Sequence, residues 1–187
     1  MAYIALNNEE LPGIVGLLNY RQDTGAILNQ LVETLLRQPS SLSPGERETI
    51  ASYVSHLNNC HFCHTVHGAV AAHHLQKELN YIDDIKQGVK PEDASPKLKS
   101  LLNIAAKVQK SGKNVLETDI AAARKEGATD MEIHDTVLIA AAFCMFNRYV
   151  DGLGTWAPEP KEAYGEMGKM LAETGYVGTE AGGPPQN

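Results

Sequence analysis

Helix-start signals recur along this chain, and no stretch of it alternates apolar and polar residues convincingly enough for a strand. Ser43-Pro44-Gly45-Glu46 places Ser at an N-cap, Pro at the first helical position and Glu at the third. This capping box satisfies backbone N–H groups that a helix start otherwise leaves unpaired. Thr129 and Glu132 repeat the pattern, and Ser95-Pro96 opens another helix in the same way. The fold class that follows is all-α.

The segments between these signals set the expected elements. Residues 9–20 form a short helix, with Pro12 in its first turn. From Thr24 to Gln38, Ile27, Leu28, Leu31, Val32, Leu35 and Leu36 make one apolar face, and Pro39 ends it. The helix opened by Ser43 runs to about Leu57 and buries Ile50, Tyr53, Val54 and Leu57. Asn58-Asn59 breaks it, and a second helix runs from about Cys60 to Leu79. Tyr81 to Ala94 is polar and is expected to be mostly loop. The helix after Ser95 turns Leu98, Leu101, Leu102, Ala105 and Val108 inward. Thr118 or Asp119 caps a short helix closed by Gly127, and a long helix follows to Tyr149 or Val150. A last helix spans about 160–173.

The expected organisation is one all-α domain over 1–177, comprising an arm of about 1–40, a core of about 41–155 and the C-terminal helix. Residues 178–187, rich in Gly and Pro, read as a disordered tail. Shifting the chain by 84 residues lays Glu132, Cys144, Phe146, Val150 and Gly152 over Glu48, Cys60, Phe62, Val66 and Gly68. The echo suggests a possible internal repeat of the helical unit, with Cys144 as a relic or an ordinary small core residue.

Charge and cysteine usage narrow the function. A net charge of −7 argues against a nucleic-acid or anionic-membrane surface. No apolar run reaches the ~18 residues of a membrane span, and the N-terminus lacks the basic and apolar regions of a signal peptide. The expected location is the cytoplasm. Three cysteines there do not make a structural disulfide framework, so a close pair reads as redox or metal chemistry.

That pair lies in Asn58-Asn59-Cys60-His61-Phe62-Cys63-His64-Thr65-Val66-His67-Gly68. On a helix, Cys60, Cys63 and His67 fall at i, i+3 and i+7, on one stripe. Helix-start N–H groups and the helix dipole favour a thiolate, and His67 can manage its proton. Other readings compete with redox catalysis. Cys60-His61-Phe62-Cys63-His64 matches the C-x-x-C-H pattern of covalent haem attachment, which belongs mainly to exported proteins. A zinc site would need ligands beyond Cys60, Cys63 and nearby histidines, yet no second Cys or His pair lies elsewhere. Two inert buried cysteines are the remaining reading. For His61, His64, His73 and His74 the expectation is exposed helix-face residues.

The run from Glu48 through Cys60 and Cys63 to His67 resembles the signature of the AhpD-like, or carboxymuconolactone decarboxylase, family. Its peroxidase-type branch carries E-x11-C-x2-C-x3-H, and all four residues occur here at that spacing. Ser43 to Glu48, and Leu101 to Leu153 with Asn147-Arg148-Tyr149-Val150-Asp151, are also similar to alkylhydroperoxidase-like, peroxidase-related proteins. The resemblance covers the core and leaves out the N-terminal arm and the tail. The decarboxylase branch lacks the C-x-x-C pair.

The resemblance implies an AhpD-like helical bundle that assembles into homotrimers or homohexamers, with thiol-dependent hydroperoxidase activity. Cys63 would attack the peroxide and become a sulfenic acid, Cys60 would resolve it to a disulfide, and Glu48 and His67 would relay protons. Helix position alone favours Cys60 as the attacker, as in thioredoxin-like sites. The best-studied members have His immediately before the second cysteine, where this chain has Phe62. No metal or other cofactor is expected. The partners implied are a hydroperoxide and a dithiol or protein reductant, lipoyl-bearing or thioredoxin-like by analogy. The alternative is a thiol–disulfide module or oxidation sensor without peroxidase activity.

Overall fold

The computed structural model describes residues 2–88 and 94–177, which contain helices and connecting turns and no strand. In chain order the helices are α1 (Gly13–Tyr20), α2 (Gln22–Arg37), α3 (Pro44–Leu57), α4 (His61–Leu75), α5 (Leu79–Gln87), α6 (Pro96–Lys110), α7 (Glu117–Lys125), α8 (Asp130–Gly152) and α9 (Lys161–Thr174). A single 3-10 turn, Gly112–Asn114, follows α6. Among the described residues no helix is long and apolar enough to cross a membrane. The expected tail, 178–187, lies outside the described residues.

The capping sequences act as their chemistry requires. Ser43 Oγ accepts from the Glu46 N–H at 3.2 Å, and the Glu46 carboxylate accepts from the Ser43 N–H at 2.9 Å. Thr129 and Glu132 make the same reciprocal pair at the start of α8. Ser95 Oγ accepts from the Leu98 N–H to start α6. Asp119 sits one turn further in than expected: it is the third residue of α7 and reaches back to accept from the Leu116 N–H.

Leu35, Leu36, Ile50, Val54, Leu101, Ile104, Ile139 and Phe143 form the centre of the main core, drawn from α2, α3, α6 and α8. The apolar face read on α2 is correct except for Ile27, which is 70% exposed. The arm is part of the body, because Leu35 and Leu36 pack in that core.

Residues Leu79–Gln87 are helical where a loop was expected. Ile82 and Ile85, three apart on one face, are buried, and Gly88 ends the helix at φ +67°. The intervening Asp and Lys residues hide this short apolar stripe. Residues 89–93 lie outside the described set. The two halves of the 84-residue echo differ in local structure. Glu48 to Gly68 crosses from α3 through a turn into α4, whereas Glu132 to Gly152 lies in α8 alone.

The turn between α3 and α4 positions the site. Asn59 takes the left-handed conformation at φ 59°, which Asn tolerates better than most residues. Asn58 donates to Asn147 Oδ1 at 2.8 Å and accepts from Gln109 Nε2 at 2.8 Å, while Asn147 donates to Ser55 Oγ at 3.0 Å. This chain ties the turn to α6 and α8. Cys144 lies against it, half-buried, with Asn58 Nδ2 3.6 Å from its sulfur. It belongs to this joint rather than to the cysteine pair.

Candidate active site

Cys60 is the N-cap of α4 and Cys63 its third residue, so both lie where backbone N–H groups and the helix dipole favour negative charge. Their sulfurs are 3.0 Å apart, and Cys60 Sγ donates to Cys63 Sγ. Cys60 is 0% and Cys63 4% exposed. The hydrogen bond to Cys63 first, then burial, then the neighbouring sulfur's charge, push the Cys60 thiol far up. Cys60 therefore holds its proton at neutral pH. This differs from the simple expectation that the helix start lowers both thiols.

Glu48 lies in α3, fully buried at 0% exposure, and its Oε2 is 2.7 Å from His67 Nδ1 on α4. The two are 19 residues apart and meet because α3 and α4 pack against each other across the Asn58–Cys60 turn. Glu48 is therefore not a solvated surface carboxylate. With Nδ1 engaged by the carboxylate, the imidazole has Nε2 available for proton exchange. Phe143 meets the ring edge-to-face at 4.6 Å and fixes its plane.

Tyr176 completes this arrangement, and the sequence offered no spacing that pointed to it. Its hydroxyl donates to Glu48 Oε1 at 2.6 Å and lies 3.3 Å from His67 Nδ1, with its ring stacked on the imidazole. Burial and the Glu48 charge hold its phenol well above the ordinary range, so it stays a donor. Its position is set from α2. Glu33 accepts from the Tyr176 N–H at 2.8 Å, and Arg37 donates to the carbonyls of Leu171 and Ala172 at the end of α9. The cation thus satisfies carbonyls at the negative end of that helix.

Phe62 packs where Gly13 opens α1. A Cβ on Gly13 would lie 2.2 Å from the Phe62 ring, and Gly13 has φ +53°. An aromatic ring here therefore needs glycine opposite it, and together they dock the arm onto α4. Tyr164 on α9 lies on the other side of the pair. Burial, then the two sulfurs, raise its phenol to about 12, and it donates to Pro158 O. Gly168 lets α9 approach α4, since a Cβ there would sit 2.5 Å from Ala69 Cβ.

The remaining histidines divide. His61 and His73 are exposed, as expected. His64 is not a surface residue. It is half-buried, its Nδ1 lies 3.1 Å from the buried Lys86 Nζ, and burial followed by the Lys86 charge lowers it to about 4. His74 is also half-buried. Among the described residues, no group of three or more His, Cys, Asp or Glu side chains is arranged to hold a metal ion.

Cys63, His67 and Tyr176 line one cavity of about 80 Å³, several times the room one water needs. Its other walls are mainly apolar: Ile14, Val15 and Leu18 of α1, Leu28 and Val32 of α2, Phe62 and Val66 of α4, Phe143 and Phe146 of α8, and Met167 and Leu171 of α9.

No family model and no curated protein matches the sequence. Solved structures do. A structure described as alkylhydroperoxidase AhpD core, an uncharacterized peroxidase-related protein from Ralstonia eutropha JMP134, superposes with a TM-score of 0.75 at 28% identity. The match covers 85% of this chain and 82% of that one. The chain has the AhpD-like fold. An uncharacterized peroxidase-related protein from Silicibacter sp. TM1040 shares the fold at a TM-score of 0.73 and 23% identity, covering 82% of this chain and 78% of that one. Both matches are longer than the 41–155 core on which the sequence resemblance rested, so the AhpD-like fold takes in part of the arm or of the C-terminal region.

Proposed function

We propose that the chain is a thiol-dependent peroxidase that reduces a hydroperoxide through a Cys60–Cys63 dithiol–disulfide cycle. The observation that carries this is the pair of buried sulfurs 3.0 Å apart, of which Cys63 lines an apolar cavity together with a His67 that is bonded to the buried Glu48. Cys63, as thiolate, attacks the terminal oxygen of R–O–O–H. The S–O bond forms, the O–O bond breaks, and the departing RO⁻ takes a proton from the His67 imidazolium. Glu48 stabilises that imidazolium, and Tyr176 holds the carboxylate in place. Cys60 then attacks the Cys63 sulfenic sulfur, with its proton passing through His67 to the departing hydroxide, which leaves as water. Closing 3.0 Å to a disulfide needs a sulfur movement of about 1 Å. An external dithiol returns both cysteines to the thiol form.

Burial of both sulfurs argues against exchange with the surface of a folded partner. It favours a slender dithiol, such as a lipoyl arm, as the reductant. Assembly into a homo-oligomer is part of the proposal. Ile27 and Met145 are exposed and share a shallow apolar depression with Leu28, Phe146 and Tyr149, a surface suited to a second copy.

The test is peroxide consumption with dithiol donors, together with sulfenic-acid trapping in separate Cys60→Ser and Cys63→Ser variants. Turnover is expected to vanish in both variants, with label only on Cys63 of Cys60→Ser. Turnover surviving both substitutions refutes the cycle. Label only in Cys63→Ser reverses the roles of the two cysteines.

A further inference from the structure

Three of the polar side chains lining the Cys63 cavity already have partners within the site: Cys63, His67 and Tyr176. The fourth is Asn29 on α2. It is 7% exposed, and its Nδ2 has no hydrogen-bond partner. A buried amide donor without a partner destabilises a fold. Leu28 and Val32, which line the same cavity from α2, are apolar, so leucine at position 29 would suit that wall. A polar donor kept unpaired on a residue of the cavity wall that also holds the reactive sulfur is what a ligand's oxygen would satisfy.

We propose that Asn29 is a substrate-binding residue, its Nδ2–H donating to the oxygen that leaves the hydroperoxide as RO⁻ while the apolar R group packs against Leu28 and Val32. The proposal rests on the peroxidase reading and goes beyond it, because it draws a binding group from the arm, outside the Glu–Cys–Cys–His signature. An amide donor aimed at the leaving oxygen strengthens as charge develops there. The cavity volume of about 80 Å³ favours a short, compact R group over a long chain. The proton still comes from His67; Asn29 holds the oxygen and exchanges no proton.

The probe is tert-butanol, the alcohol left by tert-butyl hydroperoxide, bound to the Cys63→Ser protein, which cannot turn over. In the ¹⁵N-labelled protein the Asn29 side-chain amide resonance should shift on titration. In Asn29→Leu the affinity for tert-butanol should fall about tenfold. An exposed neighbour, Gln30→Ala, serves as the control. In the protein with both cysteines, Asn29→Leu should lower kcat/KM for tert-butyl hydroperoxide at least about tenfold while raising Tm, since it removes an unpaired donor. A merely structural asparagine would give the opposite change in Tm and unaltered alcohol binding. Tert-butanol that leaves the Asn29 amide unshifted, or binds Asn29→Leu as it binds Gln30→Ala, overturns the proposal. If the wild type turns over no hydroperoxide yet alcohol binding still depends on Asn29, the peroxidase reading fails and the binding residue stands.

Discussion

Replacing Tyr176 with phenylalanine removes one hydroxyl and leaves the ring that stacks on His67. That hydroxyl donates at 2.6 Å to Glu48 Oε1, on a carboxylate with no exposure to solvent. A hydrogen bond to a charged acceptor contributes about 1.5–3 kcal/mol, and a buried carboxylate has no water to replace it. For a chain of this size each kcal/mol moves Tm by about 2–4 °C, so Tyr176→Phe should lower Tm by about 3–12 °C. Calorimetry measures this directly, and a double-mutant cycle with Glu48→Leu, which removes the acceptor, isolates the pair. The coupling should be about 1.5–3 kcal/mol, well above the ~0.5 kcal/mol seen for independent sites. Peroxide turnover should fall about tenfold in Tyr176→Phe, because Glu48 is then free to rotate away from His67. A coupling within ~0.5 kcal/mol of zero would refute the reasoning, since the hydroxyl would then contribute nothing to holding the carboxylate.

Two further outcomes are expected. His64 sits at about 4 in the folded chain, lowered by burial and by Lys86, with His56 and His61 adding to the shift and Asp83 opposing it. The unfolded chain therefore binds the extra proton first, and stability should fall as pH drops from about 6.5 to about 4, then level off as far as this group is concerned. The loss is on the order of 3 kcal/mol. His64→Gln should flatten that part of the Tm-versus-pH curve; an unchanged slope would remove His64 as its source. Gly168→Ala should wedge α9 off α4, because its Cβ would fall 2.5 Å from Ala69 Cβ. Overpacking of this kind costs about 1–3 kcal/mol, and a Tm equal to wild type would show that the two helices are not held so close.

Much of the helical frame was legible along the chain, because its signals are local. Ser43 with Glu46, and Thr129 with Glu132, are three residues apart, and a capping box needs nothing from elsewhere in the fold. The apolar periodicity of α2 and α6 is equally local. The helix Leu79–Gln87 was hidden because its buried face is only a few residues long and is carried by packing rather than by composition. His64 was misread for a related reason: nothing near it in sequence announces a buried Lys86 that comes to it from α5.

Cys63 and His67 lie one turn apart on α4 and Cys60 is its N-cap, so sequence spacing alone brings the three close. Glu48 was accessible only through the longer signature, since its contact with His67 depends on how α3 and α4 pack. Tyr176 and Asn29 were not accessible at all. One lies 109 residues beyond His67 and is held by Glu33 of α2; the other is a single amide on an otherwise ordinary amphipathic helix. Local hydrogen bonds and 3.6-residue periodicity act over a few residues, so the sequence by itself determined most of the helices and the nearness of Cys60, Cys63 and His67. The cavity, the buried carboxylate's second partner and the unpaired donor arise from contacts between α1, α2, α3, α4, α8, α9 and the segment after α9, and only the tertiary structure decided them.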